Sequence, residues 1–163
     1  MPKDMNWKRQ LLFDISELVP EIGALPSTSG EGLSNFPTLH LAIFSAPYLD
    51  LLLEGRKTLE SRFSKIRNAP YGQISPGDVV LLKHSGGSIV AVGRVQSAEC
   101  ITLDPEKIQD IRRRYAAPLC AESSVFWKQR STSRFLTLLR FNDITRLPPL
   151  KCSKTDRMGW VVL

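Results

Sequence analysis

Beyond Thr38 the chain divides into short apolar segments of β-type composition, separated by turns rich in proline and glycine. These segments lie at about residues 38–44, 57–63, 79–84, 88–98, 134–144 and 160–163. Strands this short bury their apolar sides only when several of them share one sheet. The pattern therefore predicts an α+β fold, in which a small and mostly antiparallel β-barrel is flanked by a few helices.

The residues before Thr38 have a different pattern, which is typical of one amphipathic helix and a linker. Within residues 5–18 the apolar positions form one helical stripe, made of Trp7, Leu11, Leu12, Ile15 and Leu18. Residues 25–37 are rich in Pro, Ser and Gly. We therefore divide the chain into a helix and linker at 1–37 and one domain at 38–163. We expect the helix to pack on the domain, on a partner protein or on a second copy of the chain.

Three further helices are expected inside the domain. The first follows Ser45, which is a candidate cap, and ends before Gly55. The second begins at Asp104-Pro105-Glu106, because this tripeptide supplies a capping side chain, a proline in the first turn and an acid at the helix N-terminus. The third covers about residues 122–130. Gly93, inside the fourth apolar segment, is typical of a β-bulge.

Composition excludes several classes of protein. The chain has 163 residues, of which 42% are hydrophobic and 23% charged, and these values are typical of one globular domain. Its apolar runs are far shorter than the roughly 18 residues that span a membrane, and an exported protein's apolar leader is not expected. The three cysteines are widely spaced and fit neither a disulfide framework nor a zinc pattern. We expect a cytoplasmic protein with no metal, cofactor or membrane association.

Charge is distributed unevenly along the chain. Residues 1–39 carry three basic and five acidic residues, whereas residues 40–163 carry nineteen and eleven. The net charge of +6 therefore comes from the domain and not from the N-terminal segment. A basic domain indicates a polyanionic partner, most simply nucleic acid, although moderate positive charge also serves solubility alone.

The segment Gly55-Arg56-Lys57-Thr58-Leu59-Glu60-Ser61-Arg62 breaks the pattern expected of a buried strand. Alternation places Thr58, Glu60 and Arg62 on one face, which is then fully polar. Glu60 and Arg62 are spaced to pair, and the following loop adds further hydroxyl and cationic side chains. Such groups contact phosphates and sugars, but they also occur on ordinary solvated strands.

The order of motifs around this segment closely resembles the ASCH domain, a member of the PUA-like superfamily. A short helix precedes Gly-Arg-Lys-Thr-Leu-Glu-Ser-Arg, and Pro-Gly-Asp-Val-Val-Leu-Leu and Gly-Ser-Ile-Val-Ala-Val-Gly-Arg-Val follow it. The resemblance runs from about residue 39 to residue 163. It implies a PUA-like β-barrel with a cleft beside the first motif, in a family that is generally RNA-binding and includes some hydrolases.

Two residues are candidates for catalysis on this resemblance. Lys57 matches the catalytic lysine of the amidohydrolase type, whereas the position of that type's threonine nucleophile holds Glu60 here. The amidohydrolase mechanism therefore does not carry over directly, but a Lys57–Glu60 pair can serve acid–base chemistry. Ligand binding is assigned to a set of hydroxyl and cationic side chains: Thr58, Arg62, Ser64, Lys65, Arg67, Lys83 and Arg157.

The leading hypothesis is that the domain binds RNA, or a nucleotide derived from RNA and possibly modified, in a basic cleft beside Lys57. The alternative is a hydrolase that acts on RNA or on a modified nucleoside. Two other patterns are interpreted structurally. His40 and His84 are interpreted as separate strand residues in preference to a catalytic pair. For Phe126 and Trp127 core packing is favoured, with a base-stacking surface as the alternative.

Overall fold

The structure is a computed structural model that describes residues 3–23 and 37–163. Its helices are α1 (Lys3–Leu18), α2 (Pro20–Gly23), α3 (Tyr48–Leu53), α4 (Pro105–Tyr115) and α5 (Ser124–Gln129). Its strands are β1 (Leu39–Phe44), β2 (Glu60–Ser64), β3 (Val79–His84), β4 (Ile89–Thr102), β5 (Phe135–Leu150) and β6 (Trp160–Val162). The predicted linker lies almost wholly outside the described residues.

The six strands form one mixed sheet in the order β2-β5-β4-β3-β1-β6, which curls into a half-barrel. The predicted α+β class is confirmed, and four of the five strand pairings are antiparallel. The β1–β3 pair is parallel, because the chain crosses over through residues 45–78 before it returns to the sheet. This crossover carries α3 and β2, and it brings the polar motif to the edge of the half-barrel.

The central strands β1 and β3 are buried on both faces, which accounts for the continuous apolar run in β3. Alternate residues of these strands pack into two different clusters. Ala42 and Val80 face the interior of the half-barrel, whereas Leu41 and Leu81 face the opposite side. On that side α1 covers the sheet through three buried residues of its stripe, namely Trp7, Leu11 and Ile15.

Several local features differ from the sequence prediction. The first helix of the domain begins at Tyr48, and its N-cap is Pro47 without a side-chain hydrogen bond, so the prediction of Ser45 as cap was wrong. Leu12 and Leu18 of the α1 stripe are 40% and 41% exposed, because the contact on the sheet is only three residues wide. The predicted bulge at Gly93 is confirmed by a register shift between Val92 and Arg94.

Candidate functional site

A cavity of about 460 Å³ opens beside the polar motif, and we call it the central cavity. Side chains from β1, β2, α3, α5 and the segments flanking them line it. Its volume is in the range of small-molecule sites, about 300–1,000 Å³. The polar lining includes four of the predicted site residues: Lys57, Glu60, Arg62 and Lys65.

Lys57 lies at the inner wall of this cavity and is only 3% exposed. Its Nζ donates to the carbonyl oxygens of Leu59 at 2.7 Å and Leu119 at 3.2 Å. The same Nζ is 3.1 Å from Oε2 of Glu60. An ammonium group has three N–H donors, so these three acceptors use its full donor capacity.

Glu60 is 5% exposed and joins two cations. Its Oε2 faces Lys57, and its Oε1 accepts a hydrogen bond of 2.9 Å from Nε of Arg62. A buried carboxylate is stable only when it is paired in this way. The three side chains therefore form one buried ionic cluster at the wall of the central cavity.

Arg62 connects the two ends of the sheet. Its Nη1 donates to the carbonyl oxygens of Ile43 in β1, at 2.8 Å, and Gly159 just before β6, at 3.0 Å. Its guanidinium carbon lies 4.7 Å from the ring centroid of Phe44 and 5.2 Å from that of Trp160. Because β2 and β6 are the two ends of the strand order, this side chain bridges the seam of the half-barrel.

One side of the central cavity is aromatic. Tyr48, Phe63 and Phe126 line it, and Phe126 lies edge-to-face with each of the other two rings. The guanidinium carbon of Arg130 lies 3.5 Å from the Phe126 centroid, and its Nη1 donates to the carbonyl oxygen of Phe126. Burial lowers the pKa of Arg130, and electrostatic interactions with Tyr48 and then Glu60 oppose this shift. Arg130 is therefore a fixed cation against an aromatic wall.

The other predicted ligand-binding residues occupy different places. Ser64 and Arg157 line a second cavity, the lateral cavity, which shares Arg62 and Phe63 with the central one. Thr58 faces a third, smaller cavity behind Lys57. The remaining two residues line neither the central nor the lateral cavity: Arg67 stacks on Tyr71 and Phe135, and Lys83 is buried and donates to the carbonyl oxygen of His84.

The central cavity also contains residues that were not predicted as site residues. They include Tyr48, Phe126, Gln129, Arg130 and Ser133. The mixture of aromatic and cationic residues at 126–130 is the sequence signal for this part of the wall, although the sequence favours core packing there. Phe126 and Trp127 are indeed buried, at 7% and 3% exposed, which confirms the core interpretation. Phe126 nevertheless contributes to the cavity wall, so the two interpretations are not exclusive.

The two histidines lie apart from both cavities. Nε2 of His40 is 3.0 Å from Oδ2 of Asp78, and Nδ1 of His40 accepts a hydrogen bond from the Trp160 indole. His84 is half-buried, with its Nε2 3.5 Å from a carboxylate oxygen of Asp50. The separate structural interpretation of the two histidines is consistent with these contacts. Within the described residues, no cluster of acidic, histidine or cysteine side chains is placed to hold a metal ion.

Membrane-spanning character is also absent from the part of the chain that the structure describes. Within residues 3–23 and 37–163, none of the helices combines the length and the apolar composition needed to cross a bilayer. Cys100, Cys120 and Cys152 are all free thiols.

Comparison with known proteins gives the fold but no sequence family. No protein-family model and no curated protein matches the chain. Among solved structures, ASCH from Zymomonas mobilis matches with a TM-score of 0.60 and 11% identity, over 77% of this chain and 87% of that one. A tyrosine-to-phenylalanine mutant of that protein matches with a TM-score of 0.59 and 11% identity, over 77% of this chain and 90% of the other. The chain therefore has an ASCH-like α+β fold, as its motifs predict.

Proposed function

We propose that this protein binds RNA, or a nucleotide derived from RNA and possibly modified, in the central cavity. The observation that carries the proposal is a nucleotide-sized cavity in which cations meet an aromatic wall. Phosphates pair with Lys and Arg, and unpaired bases stack on aromatic rings. The surrounding domain carries most of the chain's positive charge, which favours an anionic ligand. A cytoplasmic location is part of this proposal.

The contacts divide the cavity residues between two roles. Lys57 and Glu60 form an ion pair, and Lys57 also donates to two backbone carbonyl oxygens. These two residues therefore hold the wall of the cavity in place. Lys65 is exposed at the cavity, and Arg130 presents a cation beside the aromatic wall. We assign the phosphate to Lys65 and Arg130, and the base to the rings of Tyr48, Phe63 and Phe126. We assign the hydroxyl groups that line the cavity to base edges or to ribose.

Lys65→Ala tests this proposal, because Lys65 is exposed and its loss leaves the buried ionic cluster intact. Binding of end-labelled single-stranded RNA is measured by native gel shift over a range of salt concentrations. We expect weaker binding, with the slope of log K against log salt reduced by about 0.7, the value for one phosphate contact on a single strand. The matched control is Arg9→Ala, which removes one exposed positive charge from α1. Equal loss in both variants, or no loss in Lys65→Ala, would contradict the proposal.

A hydrolase acting on RNA or a modified nucleoside is the second candidate function. The observation that favours it is that the hydroxyl residues Tyr48 and Ser133 share the cavity with the buried Lys57–Glu60 pair. A hydroxyl beside a lysine and a carboxylate is the arrangement that nucleophilic and acid–base chemistry uses.

Glu60→Gln separates the two functions on the same RNA. The wild type and the variant are incubated with labelled RNA without added metal, and the products are run on denaturing gels. A hydrolase predicts cleavage by the wild type and its loss in the variant, with gel-shift binding kept. Because Glu60 balances two cations, thermal unfolding of the variant is recorded alongside. Intact RNA in the wild-type reaction favours the binding function.

A further inference from the structure

The lateral cavity has a volume of about 550 Å³ and lies directly beside the central one. Arg62 and Phe63 line both cavities, so the two spaces are separated by the side chains of a single strand, β2. The loop after β2 forms one side of the lateral cavity, and the segment before β6 forms the other. This cavity lies outside the site to which the proposed function assigns the ligand.

Thr137 in β5 is the clearest sign that the lateral cavity is built for a ligand. It is 0% exposed and lines the cavity, and its Oγ1 has no hydrogen-bond partner among the described residues. Buried hydroxyls are nearly always hydrogen-bonded, because an unsatisfied one destabilises the fold. Thr137 pairs across the sheet with Arg62, so its hydroxyl lies next to the boundary between the two cavities.

The rest of the lateral cavity has the chemistry of a nucleobase site. Tyr71 and Trp160 supply aromatic surface, and Asn68 supplies an amide that can both donate and accept hydrogen bonds. Arg157 is exposed at the same cavity and supplies a cation. The Tyr71 ring packs edge-to-face on Phe135, with a centroid distance of 5.1 Å. The guanidinium carbon of Arg67 lies over both of these rings, 5.9 Å from the Tyr71 centroid and 5.3 Å from the Phe135 centroid.

Arg62 places positive charge at the boundary between the cavities. Its Nε and Nη1 are held by Glu60 and by two carbonyl oxygens, while its Nη2 has no partner among residues 3–23 and 37–163. A phosphodiester that joins one nucleotide in each cavity would pass this boundary. An arginine fixed in this way loses little side-chain entropy when it contacts a phosphate.

We infer that the ligand is a single strand of RNA, with adjacent nucleotides in the central and lateral cavities and the linking phosphate at Arg62. This inference rests on the proposed function and narrows it, because a free mononucleotide would fill only one of the cavities. Thr137 and Asn68 contact the base in the lateral cavity, and Tyr71 and Trp160 provide its apolar surroundings.

Isothermal titration of the full-length protein with 5′-phosphorylated mononucleotides and the matching dinucleotides tests the inference for each of the four RNA bases. We expect the preferred dinucleotide to bind about tenfold more tightly than its mononucleotide, because stacking of the second base contributes a gain in affinity of that order. Thr137→Val should weaken dinucleotide binding about fivefold and leave mononucleotide binding unchanged. Thr145→Val, an exposed threonine in the same strand, is the matched control and should bind both probes like the wild type.

The outcomes separate this inference from the function on which it rests. Equal affinity for the mononucleotide and the dinucleotide, or a Thr137→Val protein that binds dinucleotide like the wild type, overturns the inference and leaves the central site standing. Absence of binding to every probe and to longer RNA overturns both. Thr137→Val should not lower the unfolding temperature, because the hydroxyl it removes is unpartnered. If this variant does not fold, Asn68→Ala replaces it, and we expect the same weaker binding of the dinucleotide with unchanged binding of the mononucleotide.

Discussion

At the scale of single residues, the buried cluster of Lys57, Glu60 and Arg62 combines a pairing within one strand with contacts to distant parts of the chain. Alternation along the motif places Glu60 and Arg62 on one face, and the structure pairs them as expected. Alternation could not show that Lys57 also donates to the carbonyl oxygen of Leu119, because Leu119 is distant in the chain. Nor could it show that Arg62 reaches the carbonyl oxygens of Ile43 and Gly159. Such contacts depend on how the crossover returns to the sheet, and period-two patterning carries no information about that.

His40 makes the stability of the fold depend on pH. Its ring accepts from the Trp160 indole at Nδ1, so Nε2 carries the proton and donates to Asp78, and the ring is neutral. Burial lowers the pKa of His40 below its ordinary value of 6.5, although Asp78 opposes the shift. The unfolded chain therefore binds a proton more readily than the folded one. The contribution of neutral His40 to the free energy of unfolding is fully present above pH 6.5, and it is lost as the pH falls through the lower folded-state pKa.

We expect the free energy of unfolding, measured in urea, to fall between about pH 7 and about pH 5.5. His84→Gln should keep this dependence, because His84 lies at the half-buried end of β3. His40→Gln should weaken it. A wild-type free energy of unfolding that stays constant across this range would show that His40 does not titrate differently in the folded and unfolded states.

At the scale of elements, the composition of each segment was a good guide to its type and a poor guide to its length. β5 continues to Leu150, past Pro148 and Pro149, although prolines normally end a strand. The register explains this, since β2 pairs only with residues 135–139 of β5 and leaves the later part with β4 as its one partner. Prolines are tolerated on a strand that has a free edge. Which part of a strand lacks a neighbour is a property of the sheet and is invisible in the segment itself.

Helix α1 provides a stability prediction at this scale. Ile15 is fully buried between α1 and the outer face of the sheet, whereas Phe13 on the same helix is 60% exposed. Ile15→Ala should lower the free energy of unfolding by about 2–5 kcal/mol, the usual cost of a buried aliphatic truncation. Phe13→Ala should change it by less than about 0.5 kcal/mol. Urea unfolding of both variants measures the difference, and similar values for the two would mean that α1 does not stabilise the domain.

At the scale of the whole molecule, the motif order was sufficient to predict the fold. The half-barrel and its likeness to ASCH of Zymomonas mobilis agree with that prediction, although the sequences share only 11% identity. The division of the candidate site into two cavities could not be foreseen from the sequence. It arises because the loop after β2 and the segment before β6 approach each other in space, while Ser64 and Arg157 are far apart in the sequence. A motif can predict which residues take part in a candidate site, whereas the walls between its compartments depend on tertiary contacts.

The bridge that Arg62 makes across the seam has a consequence for how such a domain can change over time. Elsewhere in the sheet neighbouring strands are joined by backbone hydrogen bonds, which are the same for almost any sequence. At the seam the bridge is a side chain, so the width of the opening depends on residue identity. A few substitutions of Arg62 and its aromatic neighbours can therefore change the shape of the opening, while the backbone hydrogen bonds between the strands stay the same. Ligand preference is thereby free to diverge among proteins that share this architecture.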